Sequence, residues 1–211
     1  MRLPPELLPK QWRKLKARPL VSIVIPVVTD VQDALHRVRQ VQDLDAVEVQ
    51  TAWFLDEDPH FEFYNAYHSN SKRWMTRELN KVFAESRGDF ILLVEEGSSV
   101  SQEGIEDMIR QFGDFRVGLV GQELCLDGYP HIRRGCWMMT RRAYEQCGFF
   151  NPHIRSNGWN GAEIALRLQN AGYGTRQAQS SNVSLGEPEP TEGRSPKRNA
   201  DYIRHRYGVT V

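Results

Sequence analysis

The sequence lacks most of the features that mark specialised classes of protein. No apolar run is long enough to cross a bilayer. The first residues, MRLPPELLPKQW, do not form the continuous apolar segment of a secretory signal. The three cysteines form no CxxC motif, and an odd number cannot all pair with one another. These observations favour reduced thiols and a cytoplasmic location. The 211 residues suit one domain with a sizeable core.

Several binding signatures are also missing. No GxGxxG motif and no P-loop occurs, which disfavours dinucleotide oxidoreductases and P-loop NTPases. The histidines do not have the spacing of metal ligands. The 27 basic residues balance the 27 acidic ones, so no net charge attracts nucleic acid. Only the N-terminal arm, residues 1–18, is strongly basic; it could contact an anionic partner or simply be solvated.

Apolar runs alternate with amphipathic segments along the rest of the chain. The predicted strands are 19–28, 46–54, 61–67, 90–96, 117–121 and 135–140. The predicted helices are 31–41, 72–87, 105–112 and 161–171, with short helices between Thr140 and Gly148 and around 202–207. This alternation predicts an α/β fold with a mainly parallel central sheet flanked by helices. We expect one domain at 19–186, followed by a C-terminal part at 187–211 that packs on it.

Capping and turn residues set the expected ends of these elements. Asp30 and Thr140 are suited to cap the helices that follow them. Gly88 is expected to end the second helix in the left-handed conformation. The segment 187–199 contains three prolines and no periodicity, so we expect a loop there.

Acidic residues lie at or directly after the ends of two of the predicted strands. FILLVEEG reaches Glu95 and Glu96, and LDEDP supplies Asp56 and Asp58 after an earlier strand. Ligands of parallel sheets bind at the carboxyl ends of the strands, so these carboxylates are candidates for a binding site. A cation, a sugar nucleotide or only solvent could meet them.

Glu95 and Glu96 can share a cation only under one condition. Adjacent residues on a strand point to opposite faces of the sheet, so the two side chains converge only if the chain turns. Gly97 permits such a turn. An ordinary surface loop would have the same sequence.

The order of motifs from about Pro19 to Gly208 resembles family 2 glycosyltransferases of the GT-A fold. The matching stretches are VSIVIP, LDEDP, LNKVFAESRGDF, FILLVEEG, RGCWMMTRRAYEQCGFF and NGAEIALRLQNAGY. The resemblance implies a nucleotide-diphosphate sugar as donor and a divalent cation, Mn²⁺ or Mg²⁺, held by an acid cluster. The positions it implies for donor binding are Pro26, Asp56, Asp58, Asn80, Glu95 and Glu96, of which Glu95 and Glu96 would hold the metal.

Three positions depart from the pattern of that family. Gly97 occupies the place of the last acid of the cluster, and Asn160 and Gly161 replace the Glu-Asp pair whose aspartate acts as base. The segment 181–186 lacks the histidine that often completes the metal site. These departures suggest a mechanism that is either changed or lost.

Glu163 is the best remaining candidate for the catalytic base. It lies two residues beyond Gly161, at the start of the predicted helix. Glu163 and Arg167 are also spaced i,i+4 and could simply pair on the helix surface. The sequence does not decide between a base and an ion pair.

Two tryptophans bracket the expected acceptor region. The indole faces of Trp137 and Trp159 could stack on a sugar ring, but tryptophan also fills cores, and Trp137 lies in an apolar strand that favours the core.

Two functions are compatible with these observations. The first is a glycosyltransferase that moves a sugar from a nucleotide-diphosphate sugar to an acceptor hydroxyl. The second is a non-catalytic module of the same fold that binds a nucleotide, glycan or protein partner.

Overall fold

The computed structural model describes residues 19–27, 30–41, 44, 47–53, 65–68, 75–126, 129–154, 160–178, 183–184 and 195–209. The strands are β1 (Val21–Val27), β2 (Val47–Trp53), β3 (Asn65–His68), β4 (Phe90–Val94), β5 (Ser99–Val100), β6 (Val117–Leu126), β7 (Tyr129–Thr140), β8 (Gly174–Gln177) and β9 (Val183–Ser184). The helices are α1 (Val31–Val41), α2 (Met75–Glu85), α3 (Gln102–Gln111), α4 (Arg141–Cys147), α5 (Asn160–Asn170) and α6 (Ser195–Tyr207).

A seven-stranded sheet in the order β3-β2-β1-β4-β7-β6-β8 forms the centre of the molecule. The four strands from β3 to β4 are parallel, and β8 is parallel to β6. Strand β7 runs antiparallel to both of its neighbours. Strands β5 and β9 form a separate antiparallel pair. The predicted α/β fold with a mainly parallel sheet is therefore confirmed.

Both faces of the sheet are buried. Alternate residues of β1 and β4 point to opposite sides, and each side packs in a core cluster of its own. On one face, Ile23 and Leu92 belong to a core cluster with Met108 of α3. On the other face, Val24 and Leu93 belong to a cluster that includes residues of α2 and α5. Burial on both faces explains why these strands are continuous apolar runs in the sequence.

Local sequence signals predict several element ends correctly. The Asp30 carboxylate accepts hydrogen bonds from the backbone N–H groups of Gln32 and Asp33 at the start of α1. The Thr140 hydroxyl accepts one from the N–H of Ala143 at the start of α4. Gly148 and Gly172 follow α4 and α5 with φ of 72° and 84°.

The predicted left-handed cap at Gly88 is wrong. Helix α2 ends at Glu85, and Gly88 is not among the glycines with positive φ in the described part of the chain. Gly88 instead lies where a Cβ atom would come within 2.5 Å of the Phe90 carbonyl oxygen and the Ser22 nitrogen. Its N–H donates to the Ser22 hydroxyl over 2.7 Å. Close packing between β1 and the start of β4 explains this glycine.

The predicted loop at 187–199 is wrong for its last five residues. Helix α6 begins at Ser195, and Pro196 is compatible with the first turn because the N–H groups there have no partner within the helix. Helix α6 is longer than expected and packs through Ile203 against Ile154, Ala162 and Leu166.

Of the helices in the described residues, none is both long enough and apolar enough to span a membrane.

Candidate functional site

The parallel strands β1 and β4 end side by side, and a buried arginine joins their ends. We call this side of the sheet the carboxyl edge. Arg37 of α1 is 2% exposed; its Nη1 donates to the Val94 carbonyl oxygen over 2.9 Å and its Nη2 to that of Pro26 over 3.4 Å. Its Nε lies 2.9 Å from Asp33 Oδ2. The carbonyl of Pro26, predicted to lie beside the nucleoside, is therefore a contact of this clamp.

The charge of Arg37 is balanced by acids at the same edge. Burial lowers the pKa of Arg37, while the carboxylates of Asp33, Glu96 and Glu95 raise it. A guanidinium stays protonated under these conditions, so the edge contains a permanent buried positive charge. Arg37 was not predicted from the sequence as a residue of this site. The available signal was an arginine between Ala34 and Val38 on the buried face of an amphipathic helix.

The chain turns directly after β4, as Gly97 suggested. Gly97 has a φ of 72°, and the N–H of Ser98 donates to the Glu95 carbonyl oxygen over 3.1 Å. Glu95 is 8% exposed, and its Oε2 accepts a hydrogen bond from the N–H of Gly135 over 2.9 Å. Glu96 Oε1 accepts one from the N–H of Asp30 over 3.2 Å. Both glutamates are thus held at the carboxyl edge.

Cys136 lies beside Glu95 and does not provide a nucleophile. Burial, with a smaller contribution from the Glu95 charge, raises the pKa of the Cys136 thiol to about 12. The thiol therefore stays protonated near neutral pH and is unreactive.

The acids at the carboxyl edge are chemically suited to a divalent cation, but those in the described part of the chain do not form a complete site. Carboxylate oxygens are ligands that Mg²⁺ and Mn²⁺ accept. Within the described residues, no group of three or more His, Cys, Asp or Glu side chains is placed to hold a metal ion. Asp56 and Asp58, predicted to contact the base, lie outside the described residues. Glu95 and Glu96 therefore provide two acids rather than a full set of ligands.

Two further predicted binding residues pack within the fold. The Asn80 amide donates to the Phe150 carbonyl oxygen over 2.8 Å and accepts from the Phe150 N–H over 3.0 Å, which ties α2 to the segment after α4. Trp137 is buried with its ring 5.9 Å from that of Phe149. These contacts support the packing interpretation of Trp137 that the sequence left open. Trp159 lies outside the described residues.

Helix α5 begins at the carboxyl edge. It ends at Asn170, shortly before β8 starts at Gly174 beside Val117, the first residue of β6. Because β6 and β7 are antiparallel, β6 begins where β7 ends, at the opposite edge of the sheet. Cys136 of β7, four residues before the end of that strand, pairs with Val94 at the carboxyl edge. Because α5 packs against β7 and its 11 residues extend over about 16 Å, its first residue lies towards the carboxyl edge.

The first residue of α5 has an unusual environment. Asn160 is 4% exposed, and its Oδ1 atom is buried without a hydrogen-bond partner among the described residues. Buried polar atoms in native proteins nearly always have a partner, so this atom needs an explanation. A hydrogen-bond donor on a ligand at the carboxyl edge is one that fits its position.

Glu163, the predicted base, is 1% exposed and has partners on both carboxylate oxygens. Its Oε1 accepts hydrogen bonds from Asn151 Nδ2 over 3.0 Å and from the Tyr207 hydroxyl over 2.6 Å. Its Oε2 lies 3.0 Å from Arg167 Nη2. The i,i+4 pair considered from the sequence therefore forms, but it is buried rather than on the helix surface. The role of Glu163 as a base stays a prediction.

Comparisons of the sequence with protein families and with curated proteins find no match. The fold, in contrast, matches solved structures. The mannosyltransferase PcManGT from Pyrobaculum calidifontis, in complex with GDP-Man and Mn²⁺, is similar with a TM-score of 0.68 and 14% identity over 88% of this chain and 62% of that one. GalNAc-T7 with UDP, GalNAc and Mn²⁺ is similar with a TM-score of 0.68 and 10% identity over 88% of this chain and 48% of that one.

These similarities define the class of fold. The chain has the GT-A fold of glycosyltransferases, as the resemblance of its motifs implied. It spans less than two thirds of the length of both matched chains. At such low identities the match concerns the fold, and activity has to be argued from the residues of this chain.

Proposed function

We propose that this protein is a glycosyltransferase that moves a sugar from a nucleotide-diphosphate sugar to an acceptor hydroxyl. The observation that carries the proposal is the turn at Glu95 and Glu96. It places two carboxylates at the carboxyl edge, beside the ends of β1 and β4, in a chain with the GT-A fold. Ligands of open α/β sheets bind at this edge.

The proposed donor site uses the residues that the sequence singled out. Pro26 and Asn80 would line the donor pocket, Asp56 or Asp58 would contact the base, and Glu95 and Glu96 would face the diphosphate end. Mn²⁺ or Mg²⁺ bound with Glu95 and Glu96 would offset the negative charge that develops on the diphosphate.

The acceptor would lie towards the start of α5. Asn160 opens that helix at the carboxyl edge, and Trp159 directly precedes it. We propose Trp159 as an acceptor contact, with Trp137 supporting the region from the core. Glu163 is the base that the sequence predicts, but its oxygens would have to exchange a present partner before they could accept a proton from the acceptor.

The neighbours in structure suggest the first donors to test. They are complexes with GDP-Man or with UDP and GalNAc, and both include Mn²⁺. Thermal unfolding of this protein should therefore be measured with GDP, UDP and their sugar conjugates, each with and without Mn²⁺. A ligand that binds only the folded state raises the melting temperature according to its concentration and affinity.

A pair of variants makes this test specific for the carboxyl edge. Glu95→Ala should reduce the ligand-induced shift, whereas Glu145→Ala, an exposed glutamate on α4, should leave it unchanged. A shift that requires both a nucleotide and Mn²⁺, followed by transfer to an acceptor, supports the proposal. An equal shift in Glu95→Ala and the wild type would remove Glu95 from the donor site.

A non-catalytic module that binds a nucleotide, glycan or protein partner is the second candidate. It is favoured by one observation: the proposed base already has partners on both oxygens. Binding of a nucleotide without turnover and without a requirement for Mn²⁺ would identify this function. Sugar transfer that is lost in Glu95→Ala would exclude it.

A further inference from the structure

The buried carboxylate of Glu163 joins three separate parts of the chain. Asn151 belongs to the segment between α4 and α5, and its Nδ2 donates both to Glu163 Oε1 and, over 2.9 Å, to the Tyr202 hydroxyl of α6. The hydroxyl of Tyr207, near the end of α6, donates to the same Oε1 atom. A single carboxylate oxygen therefore connects α5 both to α6 and to the segment that precedes α5.

The second oxygen of Glu163 secures the same segment through Arg167. The Arg167 guanidinium donates to Glu163 Oε2 and, with its remaining N–H groups, to the carbonyl oxygens of Cys147 and Phe149. The chain between α4 and Asn151 is thereby held at several points. Both oxygens of Glu163 serve this arrangement, which we call the Glu163 network: Asn151, Glu163, Arg167, Tyr202 and Tyr207.

The Glu163 network adds polar contacts to a small apolar contact of α6. Among the described side chains of this helix, Ile203 is fully buried in the cluster with Ile154, Ala162 and Leu166, Asn199 is fully buried as well, and Tyr202 and Tyr207 are partly buried. The side chains of Asp201, Arg204, His205 and Arg206 are exposed. The hydrogen bonds of Tyr202 and Tyr207 therefore contribute to the docking of α6 beside these buried side chains.

The charge of Glu163 is directed into the network and away from solvent. Burial and the hydrogen bond to Glu163 raise the pKa of Tyr207, so its hydroxyl remains a proton donor to the carboxylate. A general base must have a lone pair directed at the proton that it removes. Here the lone pairs of both oxygens point to Asn151, Tyr207 and Arg167.

We propose that Glu163 is a positioning residue that docks α6 on α5 and thereby fixes the first turn of α5 at the carboxyl edge. The docking part of this inference stands on the geometry alone. The consequence for the acceptor rests on the proposed function. That consequence is that Glu163 does not itself transfer the proton; it acts indirectly, by fixing the position of Asn160.

Hydrogen exchange tests the docking without any knowledge of substrates. Backbone amide exchange of α6 should be compared in the wild type, Glu163→Gln, Tyr207→Phe and the matched control Asp201→Asn, whose side chain is exposed on the same helix. We expect exchange in α6 to accelerate about tenfold or more in Glu163→Gln and less in Tyr207→Phe, with β4 unchanged. Asp201→Asn should behave as the wild type.

Two results would overturn the docking role. Exchange in α6 that is unchanged in Glu163→Gln would show that the carboxylate does not hold the helix. Equal acceleration in α6 and β4 would show that it supports the whole fold instead. If Glu163→Gln does not fold, Tyr207→Phe decides, because it keeps the Glu163–Arg167 pair and removes only the hydroxyl.

Steady-state kinetics then separates positioning from proton transfer. If Glu163 positions the acceptor side, Glu163→Gln and Tyr207→Phe should both raise the acceptor KM several-fold and leave the donor KM unchanged. A loss of about 10²-fold or more in kcat for Glu163→Gln, with Tyr207→Phe at wild-type rates, would identify Glu163 as the base and overturn the inference. Absence of turnover in the wild type would refute the proposed function, while the exchange result would still decide the docking.

Discussion

The same arrangement of an acid and an arginine occurs twice in the described part of the chain, on α1 and on α5. Asp33 and Arg37 form one i,i+4 pair, and Glu163 and Arg167 form the other. In each pair the arginine also donates to two backbone carbonyls. Arg37 clamps the ends of β1 and β4, whereas Arg167 clamps the chain between α4 and α5.

The two pairs differ in the surroundings of the acid. The Asp33 side chain is 30% exposed, and its Oδ2 also accepts a hydrogen bond from the N–H of Gly97, in the turn that carries Glu95 and Glu96. Glu163 is 1% exposed and extends its contacts to α6. The first pair therefore supports the turn that carries Glu95 and Glu96, and the second supports the packing of a helix.

Of the substitutions that test this difference between the two pairs, removal of Glu163 should have the largest effect on the free energy of unfolding. Glu163→Ala leaves Arg167 without its carboxylate and removes the acceptor for Tyr207 and Asn151. Loss of one partner of a buried ion pair lowers the free energy of unfolding by about 3–5 kcal/mol. Denaturant unfolding measures this loss. A loss below about 1 kcal/mol would show that the Glu163 network contributes little.

The corresponding change on α1 should have a smaller effect. Asp33→Ala removes a partly exposed acid, and solvent can still screen Arg37 from that side. We expect the free energy of unfolding to fall by about 1–2 kcal/mol, within the range for hydrogen bonds to charged groups. Unfolding of the two alanine variants under identical conditions provides the comparison. A larger loss for Asp33→Ala than for Glu163→Ala would reverse the assignment of the two pairs.

Tyr207→Phe should reduce stability by about 1 kcal/mol near neutral pH, because one hydrogen bond to Glu163 is lost. The pKa of Tyr207 is raised in the folded protein, so the folded state retains its proton where the unfolded state loses it. The contribution of Tyr207 is therefore fully present below its ordinary pKa of about 10 and declines as pH rises beyond that value. Unfolding measured above pH 10 should be less dependent on pH in Tyr207→Phe than in the wild type. Equal slopes would contradict the coupling to Glu163.

Disruption of the exposed ion pair on α6 should have the smallest effect on the free energy of unfolding. Arg204 and Asp201 lie 3.2 Å apart, and both side chains are about half exposed. Asp201→Ala should change the free energy of unfolding by no more than about 0.5 kcal/mol, because exposed ion pairs contribute little. A clearly larger change would indicate that α6 is docked through its charged face.

Much of the candidate site was predictable because its signals are local. Glu95 and Glu96 end an apolar run and precede a glycine, which is enough to predict acids at a strand end followed by a turn. Arg37 was missed because its role depends on carbonyls of β1 and β4 that only the folded sheet brings together. The Glu163 network was missed for the same reason, since Tyr207 is 44 residues from Glu163.

The succession of strands and helices, the mainly parallel sheet and the caps at Asp30 and Thr140 can be predicted from the sequence alone. These features follow from periodicity and from hydrogen bonds between residues a few positions apart. The folded structure is needed to explain why residue 88 is glycine, which carbonyl groups Arg37 and Arg167 bind, and where the carboxylate of Glu163 is directed. Such contacts join residues far apart in the chain, and their geometry leaves no periodic pattern in the sequence.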